Sequence, residues 1–465
     1  MSKFSEDIIK LFEEFKRETG KYSDLALEGI KFEKKKIKDI SDFPTVTKWE
    51  GDIDISLDEY EKLSKDKKNN YSPLISGSVE NNQIVGYIEK SKIDEKYLSP
   101  ENVISWSRIN AKHFFIQKER VCRTEDAFVI KVKPFNNLKY VRYALMYVMQ
   151  NSDFTWTNKA GKNKMKEVFI FIPKSIDEKY TSYEIQKAIA DFIEFISLKS
   201  DDIVNLMEEI TQKAEKGKEN LLCKIFENLP NGEITDDIVN LFNEFKEEKG
   251  YQDLNLEDLE FRYIHIFEEI EGKLITVSSL NLKHNKVKEL EKQYREFNYE
   301  LEFYPVFSAS SNPIGYLPEE FKLDKIVISN PENPDVSFAT DGNASAGTNF
   351  IIHKGKYYIN NTRKVIKFNE NDKSFYTKYL YFALHDMKEK YNFNRNHKAT
   401  SENLKAVIIP IPKSFDDYSS YQIQKIIAEF IEFVYDKFDY IKENAKEKAE
   451  KANKLKKLIL KKMFY

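Results

Sequence analysis

The sequence has very few cysteines and no long apolar run. Cys122 and Cys223 are the only cysteines among 465 residues and show no partner pattern, so neither a disulfide framework nor a zinc cluster is expected. No apolar stretch approaches the ~18 residues that a membrane span requires, and the start MSKFSEDIIK lacks the apolar core of a secretory signal. These features predict a folded cytoplasmic protein that makes no membrane contact.

Catalytic and nucleotide-binding motifs are missing as well. No GxGxxG or GxxxxGK[ST] loop occurs, and the six histidines show no metal-ligand spacing. The strings nearest to the Asn-Pro-Pro-Tyr signature of adenine methyltransferases, Ser311-Asn312-Pro313 and Asn330-Pro331, lack the second proline and the aromatic residue. We therefore expect no catalytic residue, no cofactor and no metal. The net charge of -3, from 74 basic and 77 acidic side chains, does not by itself indicate a nucleic-acid binder.

A long helical pattern occurs twice in the chain. The stretch SYEIQKAIADFIEFI at Ser182–Ile196 returns as SYQIQKIIAEFIEFV at Ser420–Val434, and each copy carries one apolar stripe at helical spacing. The stripes predict helices at about Tyr183–Phe226 and Tyr421–Phe464, each roughly 60 Å long. Such a stripe needs a partner, and we expect the two helices to pair antiparallel. The alternative is that each helix packs only on its own domain.

A shorter helical pattern is also repeated. Ser5–Thr19 contains DIIKLFEEFK and Thr235–Lys249 contains the similar DIVNLFNEFK, and Gly20 or Gly250 follows as a stop signal. The repeat unit is therefore about half of the chain.

The region between the short and long helices differs in composition from the helices. It is rich in aromatic and β-branched residues and interrupted by Pro, Gly and Asn, which predicts short strands with loops. The segment leading to Gly86-Tyr87 matches the one leading to Gly315-Tyr316, and Val103–Phe115 matches Val336–Phe350. The matching strand segments with different loops between them suggest that both repeats have one fold with two different surfaces.

A polar loop precedes the long helix in both repeats. It reads TWTNKAGKNKMKE at Thr155–Glu167 and NFNRNHKATSEN at Asn392–Asn403. Both loops combine Lys or Arg with Asn, Ser or Thr, and these groups can reach phosphates and base edges together. An ordinary solvated loop is the alternative for either one alone, but the same place in both repeats favours a function.

In this order, the elements resemble the specificity subunit of type I restriction-modification systems, or the similar target-recognition subunit of multi-subunit type II enzymes. The resemblance covers nearly the whole chain and rests on the Gly-rich segment Asp341–Thr348, the polar loops, and IPIPK leading to Gln424 and a helix that ends LKKLILKKMF. The family's Pro-Pro-Leu-Glu-Glu-Gln is replaced, although its first proline and the glutamine, Gln186 or Gln424, remain. The first repeat lacks the Gly-rich segment.

The resemblance implies an α+β fold: two mixed α/β target-recognition domains separated by two long antiparallel coiled-coil helices, as a pseudo-twofold tandem repeat. The expected division is 1–180 for the first short helix and recognition domain, 181–229 for the first long helix, 230–418 for the second short helix and recognition domain, and 419–465 for the second long helix.

The resemblance also implies a non-catalytic subunit that binds double-stranded DNA. Each recognition domain would read one half of a bipartite target, while the helices set the spacer and dock methyltransferase subunits. Whether motor-nuclease restriction subunits also bind stays open. Two alternatives are a coiled-coil scaffold that binds proteins without DNA specificity, and an enzyme with an unrecognised site.

The candidate DNA-contacting residues come from the polar loops and from the segments that match the Gly-rich segment. In the first repeat they are Arg108, Asn110, Lys112, Lys159, Lys162, Asn163 and Lys164. In the second repeat they are Thr340, Asn343, Ser345, Thr348, Arg395, Asn396 and Lys398.

Overall fold

The structure is a computed structural model that describes residues 4–109, 111–150, 152, 159–251, 253–275, 277–297, 300–340, 349–391, 397 and 401–464. The chain divides into two compact units. The first unit consists of Met1–Glu208 and Lys446–Tyr465, and the second consists of Glu209–Ala445. Both long helices therefore contribute a segment to each unit.

The first repeat contains a short helix, a region of short strands and a long helix. Its helices are α1 Glu6–Thr19, α2 Ile37–Ile40, α3 Leu57–Glu61, α4 Lys65–Lys68, α5 Leu138–Gln150, α6 Lys162–Lys166 and α7 Ser182–Cys223. Its strands are β1 Phe32–Lys36, β2 Ser41–Asp42, β3 Tyr71–Ile75, β4 Ile84–Glu89, β5 Val103–Ser107, β6 Phe114–Gln117, β7 Cys122–Arg123, β8 Ala127–Val132 and β9 Phe169–Pro173.

The second repeat has a similar order of elements. Its helices are α8 Asp236–Lys249, α9 Ile266–Glu269, α10 His284–Phe297, α11 Thr377–Lys390, α12 Ser401–Lys405 and α13 Ser420–Phe464. Its strands are β10 Phe261–His265, β11 Phe303–Phe307, β12 Gly315–Pro318, β13 Val327–Ile328, β14 Val336–Ala339, β15 Ile351–Ile352, β16 Lys356–Ile359, β17 Arg363–Ile366 and β18 Ile408–Pro412.

The sheets of the two repeats correspond closely, although β2 of the first repeat and β13 of the second have no counterpart among the described strands of the other repeat. In the first, the strand orders are β1-β9, β2-β8-β5-β6 and β4-β3-β7; in the second they are β10-β18, β15-β14-β17 and β12-β11-β16-β13. The match between Gly86 and Gly315 is confirmed, because Gly86 pairs with Leu74 and Gly315 with Val306 on the equivalent strands β3 and β11. At both glycines a Cβ atom would collide with a packed side chain, Ile53 in the first case.

Each short helix packs on the beginning of a long helix through aromatic side chains. Phe12 and Phe15 of α1 meet Phe192 of α7, with ring centroids 5.3 and 5.7 Å apart. The second unit has the same arrangement, in which Phe242 of α8 lies 5.1 Å from Phe430 of α13. Burying each such ring is worth about 1.5–3 kcal/mol, so the repeated aromatic motif explains the docking of both short helices.

The starts of the long helices are fixed by the polar residues that the sequence repeats. Thr181 and Ser419 are the capping residues, since their hydroxyls accept from the amides of the residue three positions on, at 3.3 Å. Buried Gln186 accepts from the amide of Asn137 at 2.9 Å, and buried Gln424 accepts from the corresponding amide before α11 at 3.0 Å. The retained glutamine therefore ties each long helix to the helix beside it.

The long helices pack antiparallel within each unit. In the second unit, Lys218 pairs with Asp439 at 2.6 Å and Glu215 pairs with Lys442. An earlier residue of α7 thus pairs with a later residue of α13, as antiparallel helices require. In the first unit, Lys456 pairs with Asp201. Asp201 and Lys218 occupy the same positions in α7, counted from Ser182, as Asp439 and Lys456 occupy in α13, counted from Ser420. The two ion pairs are therefore equivalent.

The predicted fold class is confirmed: the chain is α+β, with two mixed recognition-type domains and two long antiparallel helices. No helix in the described part of the chain is both long and apolar enough to cross a membrane. Among the described residues no cluster of His, Cys, Asp and Glu has the geometry to hold a metal ion.

Candidate nucleic-acid interface

In the first repeat, Arg108 and the polar loop meet where β5 ends. The amide of Arg108 donates to the carbonyl of Asp126 at 2.9 Å, and the carbonyl of Arg108 accepts from the amide of Ala160, also at 2.9 Å. Buried Trp106 donates its indole N–H to the carbonyl of Ala160 at 2.9 Å. The structure thus brings Arg108 and the end of the first polar loop, beginning at Lys159, to one edge of the sheet.

The guanidinium of Arg108 is held by two carboxylates. Its Nε donates to Asp126 at 2.5 Å and its Nη2 donates to Glu125 at 2.8 Å, while 26% of the side chain is exposed. The hydrogen bond to Asp126 is the main reason why the pKa of Arg108 is raised. The group is charged and fixed in orientation, and it still reaches solvent.

The helix α6 adds further positive charge to this edge. The ammonium of Lys162 donates to the carbonyl of Pro44 at 3.4 Å. Burial lowers the pKa of Lys162, and the like charges of Lys166 and Arg123 lower it further. Cationic groups held close to one another produce a local positive potential, which favours an anion such as a phosphate.

The other candidates of the first repeat are mostly at the surface. Asn163 and Lys164 are exposed on α6, Lys112 is exposed in the turn between β5 and β6, and Lys159 is half-buried beside Ala160. Asn110 lies outside the described residues.

In the second repeat, only Thr340 among the candidates is described. It follows β14, and its amide and hydroxyl both donate to the carbonyl of Thr362, at 2.9 and 3.2 Å. Its place in the strand ladder corresponds to that of Arg108, since Ala339 pairs with Arg363 as Ser107 pairs with Ala127. The remaining candidates lie outside the described residues: Asn343, Ser345, Thr348, Arg395, Asn396 and Lys398.

A buried polar network lies behind Thr340. The imidazole Nε2 of His353 is 2.6 Å from the hydroxyl of Ser337, which also accepts from Nε of Arg363 at 2.9 Å. Nearby, Lys367 and Tyr357 donate to the carboxylate of Asp335 at 3.1 and 2.8 Å. In the first repeat, the equivalent hydroxyl of Ser105 accepts instead from the amide nitrogen of Gln117 at 2.9 Å.

Sequence reasoning missed Asp126, Glu125 and Arg363. Acidic residues are too abundant in this chain for two of them beside a strand to attract attention. Arg363 lies in the short strand RKVI, whose pattern gives no sign that the arginine is buried and Lys364 exposed. Only the fold brings these residues close to Arg108 in the first repeat and to Thr340 in the second.

Residues 285–451 match the family model of the type I restriction modification DNA specificity domain. No functionally curated protein matches the chain.

Solved structures match the chain over most of its length. A chain from a structure titled for complex assembly and conformational transition of the type I R-M system is 12% identical, with a TM-score of 0.58 and coverage of 93% of this chain and 97% of that one. The HsdS subunit from Thermoanaerobacter tengcongensis is 12% identical, with a TM-score of 0.52 and coverage of 93% and 96%. The S subunit from M. genitalium is 16% identical over 94% and 97%, with a TM-score of 0.35.

The fold is that of restriction-modification specificity subunits. Together with the match of residues 285–451 to the specificity-domain model, this fold confirms the resemblance inferred from the sequence.

Proposed function

We propose that this chain is the DNA-specificity subunit of a restriction-modification complex. Each recognition domain reads one half of a bipartite double-stranded target, and partner subunits carry out the chemistry. The observation that carries the proposal is the match of residues 285–451 to a DNA specificity domain, in a chain that contains a similar arrangement of strands twice. Two modest binding surfaces on one chain gain affinity by linkage.

The proposed contacts in the first domain divide into two kinds. Arg108 is held by Asp126 and Glu125, so its remaining N–H groups are pre-oriented for base edges. The cations of α6 and the adjoining loop are suited to phosphates, which position a protein without specifying sequence. These are Lys159 and Lys162, which are half-buried, and exposed Lys164. Exposed Lys112 is proposed as a further phosphate contact, and Asn110 and Asn163 are suited to either kind of contact.

In the second domain, Thr340 marks the proposed edge. Asn343, Ser345, Thr348, Arg395, Asn396 and Lys398 are proposed as further contacts from the sequence alone. We propose no catalytic residue, cofactor or metal in this chain. The helices α7 and α13 are proposed to dock methyltransferase subunits.

The decisive experiment measures sequence preference in the assembled complex. The chain, together with its methyltransferase partner, should enrich one bipartite sequence from randomised duplex DNA at physiological salt. Exchanging the segment from about Phe43 to Glu167 for that of a related subunit should change one half of the target only. Enrichment of no sequence would reject the proposal in favour of a protein-binding scaffold. A change in both halves would mean that the domains do not read independently.

The long helices are proposed to set the spacer between the half-sites. Inserting seven residues, about two turns, into each helix should lengthen the pair by about 10 Å, or roughly three base pairs. The insertion variant should then prefer a longer spacer. Retention of the original spacing at full affinity would show that the helices do not determine it.

A further inference from the structure

The guanidinium of Arg363 is buried and bonded almost entirely to backbone carbonyls. The residue is 3% exposed. Its Nη1 donates to the carbonyls of Ser308 and Ser310 at 2.8 and 3.2 Å, and its Nη2 donates to those of Ser337 and Asn349 at 3.1 and 2.6 Å. With the bond from Nε to the hydroxyl of Ser337, one side chain joins three separate stretches of chain.

No carboxylate among the described residues pairs with this guanidinium. Burying an unpaired cation is costly, and the burial lowers the pKa of Arg363 to about 10. The fold tolerates the charge because five oxygen contacts surround it. Most of those oxygens belong to irregular backbone: Ser308 and Ser310 follow β11, and Asn349, with a φ of 63°, precedes β15.

These stretches form the edge at which Thr340 lies. Thr362, the acceptor of both Thr340 bonds, also has its hydroxyl 2.9 Å from that of Ser308. The side-chain amide of Asn349 donates to the carbonyl of Ala309 at 2.9 Å. The turn at 308–310, Thr340 and Asn349 are therefore one connected surface, and Arg363 lies beneath it.

The first repeat has no arginine at this ladder position; its Arg123, on β7, donates to the carbonyls of Val46, Thr124 and Ala127 instead. In the first repeat, Ala127 takes the ladder position of Arg363. Arg108, at the edge of the same sheet, bonds to carboxylates and reaches solvent. A buried arginine at this position is thus not a requirement of the shared fold. It belongs to the particular surface of the second domain.

We propose that Arg363 is a positioning residue for DNA recognition by the second domain. It fixes the turn at 308–310 and Asn349 in the conformation that reads the half-site. The inference rests on the proposed function. Its physical basis is that base readout depends on contacts placed to within fractions of an ångström, so side chains beneath the surface must hold the backbone rigidly.

The test compares Arg363→Lys with a matched control, Asp335→Asn, in the full-length chain assembled with its methyltransferase. Lysine keeps the charge but cannot form the fork of bonds. Asp335 is 1% exposed in the same unit, but its carboxylate contacts Lys367 and Tyr357 instead of the turn. Each variant is given randomised duplex DNA, and its preference at each half-site is scored beside its melting temperature.

Arg363→Lys should lower the preference for the half-site of the second domain by about tenfold or more and leave the other half-site unchanged. Asp335→Asn should lower the melting temperature and retain both preferences. The inference is overturned if Arg363→Lys retains both preferences, or if Asp335→Asn loses the same one, because the role would then be general stability.

Should Arg363→Lys fail to fold, Arg363→Gln carries the test. Glutamine is neutral, so it leaves no unpaired charge in the interior, and it cannot bond to both the turn at 308–310 and Asn349. A preserved preference for the half-site of the second domain in that variant would overturn the inference. If the unaltered chain shows no preference at either half-site, the proposed function itself fails, which is a different result.

Discussion

Phe464, at the end of α13, packs edge-on against Tyr140 of α5, with ring centroids 5.2 Å apart at 63°. Phe226, which occupies the same position after Ser182 as Phe464 does after Ser420, packs in the same way on Tyr379 of α11, at 5.2 Å and 69°. In each unit, the long helix of one repeat therefore ends in the core of the other repeat's recognition domain.

Phe464→Ala should destabilise the first unit selectively. Removing a buried phenylalanine costs about 3–5 kcal/mol of unfolding free energy. Hydrogen exchange in the full chain should show faster opening at α5 and little change at α11. Phe226→Ala is the matched control and should have the opposite distribution. Uniform loss of protection in both units from either change would contradict the assignment.

Gly217 permits the close approach of α7 to α13 in the second unit. A Cβ atom there would lie 2.5 Å from the ring of Phe438, so Gly217→Leu should cost about 1–3 kcal/mol by overpacking. Combining it with Phe438→Ala should recover part of the loss, which chemical denaturation would measure as a coupling energy. Lys216→Leu, at the exposed neighbouring position, should have little effect. Additive losses in the double variant would contradict this packing.

His353 should make the second unit sensitive to acid. Burial, with the charge of Arg363, lowers its pKa to about 3. Between about pH 6.5, the ordinary pKa of histidine, and about pH 3, His353 is protonated in the unfolded chain and neutral in the folded chain. The free energy of unfolding therefore falls as the pH falls, by up to about 1.4 kcal/mol per pH unit.

His353→Gln should flatten that dependence. Glutamine stands at the equivalent position in the first unit, where Gln117 donates to Ser105, so the variant can keep a bond to Ser337. Denaturation of both proteins across this pH range isolates the histidine, because Asp335, whose pKa is raised by burial, is present in both. Parallel pH profiles would show that His353 does not take up a proton on unfolding.

Arg108→Ala should weaken recognition of one half-site by about 1–3 kcal/mol if the guanidinium reads a base. Asp126→Asn should have a smaller effect of the same kind, because Glu125 still holds the arginine. Binding of the complex to matched and mismatched half-sites would measure both. An equal loss on all sequences would identify Arg108 as a phosphate contact instead.

The sequence predicted the repeated elements well because their signals are local. Helical periodicity gave α7 and α13 to within a few residues, and the first glycines after α1 and α8, Gly20 and Gly250, are left-handed caps with φ of 66° and 82°. The pairing of the long helices followed from the duplication, since each apolar stripe needed a partner.

The strand regions were harder to predict, since pairing there depends on distant residues. The sequence match aligned Val103 with Val336, but the ladders make Ile104 the counterpart of Val336, because each pairs with an isoleucine of β8 or β17, Ile130 or Ile366. A shift of one position reverses which side chains face the core. Buried Arg363 could not be recognised for the same reason.

The shared ends of the long helices have a consequence for biosynthesis. The second unit is one continuous segment, Glu209–Ala445, whereas the first also needs Ile459, Met463 and Phe464 in its core. During translation the second unit is complete before these residues exist, although most of the first unit was made earlier. The first unit therefore keeps an exposed apolar surface until the second unit has been synthesised. A chain truncated after residue 445 would lack part of the core of its first unit.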